Sequence, residues 1–167
     1  PEFLAAEPTA SPLRDTLADH PTRHLLAIGL VVVGTVSTYL VLFMPTYGVK
    51  QLGLPASVSF SAVVLTGIIQ MIGSPIVGHL SDKIGRTGIM LVSAALMLLL
   101  IYPAFAWLVA VPAAGTLIVV QVAMGILMTG YFAALPGLLS EIFPVATRTT
   151  GMSLAYNIAV TIFGGFG

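Results

Sequence analysis

In the nonapeptide GHLSDKIGR, Gly78 to Arg86, three charged residues, Asp82, Lys83 and Arg86, fall within five positions of an otherwise apolar neighbourhood. Exposed carboxylates and cations of this kind can form ion pairs, each contributing ~0 to 1 kcal/mol. A second set of the same kind, Glu141 and Arg148, lies in SEIFPVATR. His79, Ser81 and Asp82 supply the letters of a hydrolytic triad, but neighbours on one turn do not give the relay geometry that a triad needs. The chemistry expected here is therefore ionic contact, and the chain is not read as an enzyme. His20 and His24 have a spacing that could hold metal on a helix, yet Pro21 falls between them and no third ligand is near. They read as two solvated interfacial histidines, and no metal or other cofactor is expected.

The remaining candidates are uncharged and recur at helical spacing. Thr35, Thr38, Tyr39, Leu42 and Thr46 share one helix face. Ser59, Thr66, Gln70 and Gly73 form a second stripe. Gln121, Gly125, Met128 and Phe132 form a third, flanked by Thr129 and Tyr131, and Ser153, Asn157 and Gly164 a fourth, with Tyr156 alongside. Between membrane helices such groups either pack helix against helix, each hydrogen bond contributing ~0.6 to 2 kcal/mol, or line a cavity. Packing is the better account of Ser59, Ser93, Ser153 and the glycines. For Tyr39, Gln70, Tyr131 and Asn157, larger and harder to satisfy between helices, a cavity is an equal alternative.

These stripes need elements to carry them, and composition says which. Hydrophobic residues make up 57% of the 167 and charged residues 7%, against roughly 25% charged in soluble domains, so this reads as a membrane protein. Six basic and six acidic residues cancel, leaving no basic field for nucleic acid, whose binding needs many phosphates neutralised. The absence of cysteine removes disulfides and thiolate chemistry. No Asp, Glu, Lys or Arg occurs between Arg23 and Lys50, Lys50 and Asp82, Arg86 and Glu141, or after Arg148. A spanning helix needs ~20 apolar residues, and these gaps predict five helices, over 25–47, 57–79, 88–107, 113–139 and 149–167. Tyr102, Pro103, Trp107 and Pro112 are expected to turn the chain between the third and fourth. The runs are continuously apolar rather than alternating, which favours helices over a barrel. The fold class predicted is an all-α polytopic bundle.

Five spans put Arg14, Arg23, Lys83, Arg86 and Arg148 on one side and Lys50 alone on the other. By the positive-inside rule, residues 1–24 and the loops at 80–87 and 140–148 are cytoplasmic. Residues 1–24 read as a connector in which Ser11 and Pro12 start a short amphipathic helix. The third span carries almost nothing polar besides Ser93 and is expected to face lipid. Pro1 is not a methionine, and Gly167 ends inside an apolar run, so a fragment of a longer protein is expected.

Gly78, Asp82, Lys83, Gly85 and Arg86, in that spacing, resemble the loop signature of the major facilitator superfamily. Thr87 departs from it, since a second basic residue often stands there. Glu141 and Arg148 resemble the family's glutamate, six residues, arginine pattern at the next cytoplasmic loop. TVSTYLVLFMPTYGVKQLGLP and RTTGMSLAYNIAVTIFGG are similar to the metabolite:proton symporter branch, which includes carriers for citrate, 2-oxoglutarate, shikimate, dicarboxylates, proline and glycine betaine. The resemblance implies helices 7 to 11 of a twelve-helix carrier of a multi-pass, bacterial inner membrane type, lacking the amino-terminal half and helix 12. It implies that helices 7, 8, 10 and 11 line a central cavity, with Thr38, Tyr39, Gln70, Tyr131 and Asn157 as candidate cavity residues, while helix 9 faces lipid.

The implied function is proton-coupled symport of a small organic acid or a betaine- or proline-like osmolyte, by two halves rocking about a central site. The partners implied are that solute, protons, the lipid bilayer and the other half of the carrier. No carboxylate lies within these spans, and His79 sits too near the loop to serve as a relay, so a coupling group is expected elsewhere. A uniporter or antiporter of the same superfamily, or a non-transporting scaffold or channel-like bundle, are the alternatives. Asp82 and Arg86 are expected to join Glu141 and Arg148 in a cytoplasmic gate that forms in one state and breaks in the other, with Gly78 and Gly85 easing the turn and the approach of the helices.

Overall fold

The computed structural model describes residues 21–165. Residues 1–20 of the expected connector, with its helix start at Ser11 and with His20, lie outside the described residues. The described regular structure consists of five helices, α1 (Pro21–Lys50), α2 (Ala56–Ile84), α3 (Arg86–Ala110), α4 (Ala114–Ile142) and α5 (Arg148–Gly165). Proline marks several of their starts. Pro55 caps α2 in an extended conformation, and Pro112 and Pro144 precede α4 and α5. A fixed φ and a missing amide suit proline to these positions, where the helix leaves amides unbonded anyway.

Four helices, α1 to α4, are long and apolar enough to cross a membrane. The fifth is described over 18 residues, Arg148–Gly165, and its sequence includes Arg148, Ser153 and Asn157.

Two expected loops shrink. The 80–87 loop reduces to Gly85, because α2 runs through Asp82 and Lys83 to Ile84 and α3 starts at Arg86. Nor does the chain turn at Tyr102–Pro103: α3 continues through Pro103 and past Trp107 to Ala110. Hydropathy marks where side chains meet hydrocarbon, whereas the backbone ladder extends until caps or steric conflict stop it. A proline removes only one of its hydrogen bonds, which membrane helices tolerate.

The described residues fall into two compact units, residues 21–36 with 135–165, and Ser37–Ala134. In the second, Met44, Ala62, Leu108, Leu117 and Val120 form one buried cluster, with the Tyr47 and Phe105 rings edge to face against it. Val41, Met97, Met124 and Met128 form another. Small residues bring these helices together. A Cβ on Gly48 would lie 2.7 Å from the Ser59 hydroxyl, and one on Gly125 2.9 Å from the Thr66 methyl; Gly130 abuts Ser93. Such close backbone approach drives helix association where lipid offers no hydrophobic gain. Leu91, Leu98 and Leu99 of α3 are exposed, an outward apolar face suited to lipid. In the first unit the buried residues include Ala27, Val31, Leu139, Phe143, Ala155 and Ala159.

Candidate functional site

A groove of about 270 Å³ opens in the Ser37–Ala134 unit between α1, α2 and α4. Thr38, Val41 and Leu42 come from α1, Thr66, Gly67 and Gln70 from α2, Met128 and Phe132 from α4. Each trio recurs at three- or four-residue spacing, which puts it on one helix face. No charged side chain lines the groove. Its polar groups are the Thr38 and Thr66 hydroxyls and the Gln70 carboxamide, whose Nε2 lies 3.9 Å from the Met128 sulfur, a weak contact that a solute acceptor could displace. The Thr66 hydroxyl stands 3.1 Å from the Ala62 carbonyl and 3.2 Å from that of Gln121 and shares its proton between them.

Thr38 and Gln70 are thus brought to one groove, and two other expected cavity residues are not. Tyr131 is only 2% exposed, its ring set edge to face against Phe132 at 6.0 Å. Phe132 lines the groove in its place, because one residue along a helix turns the side chain by about 100°. Tyr39 departs from Thr38 by the same rotation and is 49% exposed. Asn157 belongs to the other unit, where it lines an open groove with Thr149, Thr150, Ser153 and Leu154 and donates its amide to the Ser153 carbonyl at 2.7 Å. Gln121 was legible only as a member of a stripe. It is fully buried, and its Nε2 donates to the Val41 carbonyl at 3.2 Å, behind the groove wall.

The charged signature sits where α2 passes into α3. Gly85 adopts φ +112°, in the region that side chains rarely enter, so glycine is required for this one-residue link. Gly78 is under no such demand: a Cβ there would meet the Ala133 carbonyl at an ordinary 4.0 Å. The arginine of Arg86 clasps Asp82 Oδ1 with Nη2 at 2.7 Å and Nε at 2.9 Å across Gly85. Lys83 and His79 are exposed, and the buried Ser81 hydroxyl donates to the Gly78 carbonyl at 2.8 Å, an assignment that leaves no triad. Among the described residues no group of His, Cys, Asp or Glu is arranged to hold a metal.

In the other unit, Glu141 is exposed near the end of α4, and Arg148, the first residue of α5, points Nε at the Phe143 carbonyl, 3.5 Å away. His24 corrects an expectation. It is 5% exposed rather than solvated, its ring tilted against Phe143 at 5.0 Å. A Cβ on Gly151 would meet that same phenyl ring at 2.5 Å, so Phe143 is held between α1 and α5.

Residues 2–167 match the profile of the Major Facilitator Superfamily. The chain is 34% identical over 145 residues to a citrate-proton symporter of Salmonella typhi, covering 86% of this chain and 33% of that protein. It is 33% identical over 152 residues to the ectoine/proline transporter ProP of Corynebacterium glutamicum, covering 87% and 29%. It is 30% identical over 145 residues to an alpha-ketoglutarate permease of Escherichia coli, covering 84% and 33%. The chain spans about a third of the length of these relatives. No solved structure matches it at comparable significance.

Proposed function

The chain belongs to the Major Facilitator Superfamily, and from that premise and its likeness to citrate-proton symporters and an ectoine/proline transporter we propose that it is helices 7 to 11 of a twelve-helix, proton-coupled carrier of the metabolite:proton symporter branch, for a small organic acid or zwitterionic osmolyte. A multi-pass membrane protein is what its helices and relatives make it; a bacterial inner membrane is the proposed location, with residues 1–24 and the segments around Gly85 and at 140–148 facing the cytoplasm.

The observation that carries the reading is the uncharged groove between α1, α2 and α4. An alternating-access carrier builds its site at the interface of two halves, and one half is then a wall rather than a closed pocket. Thr38 and Gln70 give that wall hydrogen-bonding groups, and Phe132 and Met128 an apolar floor. Such a wall fits the uncharged parts of a carboxylate or a betaine, while countercharge and the proton-carrying group fall to the other half. Asn157 is a further cavity residue of this half, on α5, and Tyr39 and Tyr131 serve from outside the groove, as surface and as support of Phe132.

The gate is the second part of the proposal. Asp82 and Arg86 pair locally, and on this reading they exchange partners with Glu141 and Arg148 when the cytoplasmic side closes. Exposed ion pairs contribute ~0 to 1 kcal/mol each, enough to bias a two-state equilibrium without locking it. The test is uptake by the complete carrier in proteoliposomes, with labelled citrate, 2-oxoglutarate, proline and glycine betaine, with and without an inward proton gradient. Gradient-driven accumulation of one of them is expected. Uptake indifferent to the gradient would overturn proton coupling and leave uniport or antiport, and no uptake of any would overturn the substrate class.

A further inference from the structure

Pro45 lies inside α1. A proline offers no amide to the carbonyl four residues before it, and its ring presses on that carbonyl, so Val41 loses its intrahelical donor. In a membrane interior no water stands ready to replace it, and some other group must. The replacement comes from α4: the fully buried Gln121 donates Nε2 to the Val41 carbonyl at 3.2 Å. The described helices contain three other internal prolines, Pro75, Pro103 and Pro136, and the residues four before them, Met71, Leu99 and Phe132, are exposed or half-buried. Val41 is buried, so Pro45 is the internal proline whose freed carbonyl belongs to a buried residue, and that carbonyl is answered by a side chain from a different helix.

Two more features set Gln121 apart. Its own backbone carbonyl accepts the Thr66 hydroxyl at 3.2 Å, so one residue ties α1 and α2 to α4 at Val41 and Thr66, both on the groove wall. Its Oε1 is buried with no hydrogen-bond partner among the described residues. The carboxamide is therefore held by its amino end alone, and releasing it breaks one bond rather than a network.

We propose that Gln121 is a positioning residue for a proline hinge in α1. Its amide holds Val41 in the arrangement seen, and its release lets the segment before Pro45, which carries Thr38, Val41 and Leu42, change angle against α2 and α4. Proline sites are where helices bend, and a few residues that absorb a backbone change suffice for a hinge. The hinge as a step in transport rests on the carrier reading above; the Gln121–Val41–Pro45 coupling does not.

The coupling makes a specific demand. Alanine at position 45 restores the amide that Val41 lacks, so Gln121 should become dispensable. In the complete purified carrier, Gln121→Leu is expected to lower the melting temperature, and adding it to Pro45→Ala should lower it no further. In proteoliposomes, with labelled citrate and labelled proline as probes, Gln121→Leu is expected to reduce the maximal uptake rate about 3- to 30-fold, the shift in a two-state equilibrium that loss of one intramembrane hydrogen bond brings, with KM changed less than about twofold. Pro45→Ala with Gln121→Leu should match Pro45→Ala alone. Losses that multiply in the double variant, unchanged uptake in Gln121→Leu, or a loss confined to KM would overturn the proposal. If Gln121→Leu does not insert, Pro45→Ala must restore insertion; continued failure refutes the coupling. If the wild type transports neither probe, the carrier reading fails on those substrates, and the melting cycle decides alone: a non-additive cycle upholds the coupling and an additive one refutes it.

Discussion

The Asp82–Arg86 pair can be inverted, and the result separates a gate from a local staple. The side chains are 55% and 31% exposed and meet at 2.7 Å across Gly85, so their mutual attraction is worth no more than about 1 kcal/mol, or about fivefold in an equilibrium. D82R/R86D keeps opposite charges at the same spacing. Taken alone, each helix end would favour the swap by about 0.3 to 1 kcal/mol, since Asp82 sits near the negative end of α2 and Arg86 at the positive end of α3. These two ends face each other across one residue and offset, so stability should stay within about 1 kcal/mol of wild type. Transport should not stay. If Asp82 and Arg86 must meet Glu141 and Arg148 to close the cytoplasmic side, inversion turns attraction into repulsion. Two pairs reversed at ~1 kcal/mol each shift the equilibrium by up to about 4 kcal/mol, a loss of uptake of up to about a thousandfold. The assay is initial-rate uptake by the complete carrier in proteoliposomes, normalised to inserted protein, with melting temperature measured in parallel. Reversing the second set as well, E141R/R148E on top of the swap, should recover part of the rate. Wild-type uptake by D82R/R86D would falsify the gate and leave the pair as a clasp across Gly85.

Three other outcomes follow from the geometry. Gly85→Ala forces a side chain to φ +112° and should lower stability by about 1 to 3 kcal/mol, read as a fall in melting temperature; no fall would mean the α2–α3 link relaxes freely. Gly151→Ala gains about 1 kcal/mol of helix propensity but drives a methyl into the Phe143 ring, 2.5 Å away, at about 1 to 3 kcal/mol; a net loss is expected, and Phe143→Leu in the same chain should relieve it. Gln70→Leu removes a groove donor whose present contact is a weak one to sulfur, so melting should hardly move while KM for the carried solute rises by about 2- to 13-fold, the worth of one hydrogen bond; an unchanged KM places the solute elsewhere.

The fold was legible because the bilayer imposes a coarse rule, and charge-free intervals long enough to cross it are visible in any sequence. What that rule does not contain is the end of a helix. Asp82, Lys83 and Glu141 all lie in last turns of helices, although charge alone suggested loops, because backbone hydrogen bonding continues after the hydrocarbon stops. Pro103 misled for a related reason: one missing amide bends or weakens a long helix but need not end it. His24 is buried by a ring from the far end of the chain, which no local pattern announces.

The site divides along the same line between what a helix face shows and what a neighbour demands. A polar stripe at 3.6-residue spacing located Thr38 and Gln70, since a groove takes one face of each helix. It included Tyr39 and Tyr131 because a stripe drawn from sequence is wider than the arc a neighbouring helix leaves open, and a step of about 100° carries each of them out of the groove. Gln121 lay in such a stripe too, but its role depends on a need created elsewhere, by a proline four residues beyond a carbonyl in another helix. A sequence displays the supply of polar groups on each helix; the demand for them arises from backbone defects and becomes visible only when the helices are set side by side. Internal prolines are readable in advance, however, and each names by simple subtraction the carbonyl that must find a donor. Pairing those carbonyls with buried glutamines and asparagines is therefore a physical criterion for finding hinge partners in membrane helices, and Gln121 with Val41 is the pair on which it can be tested.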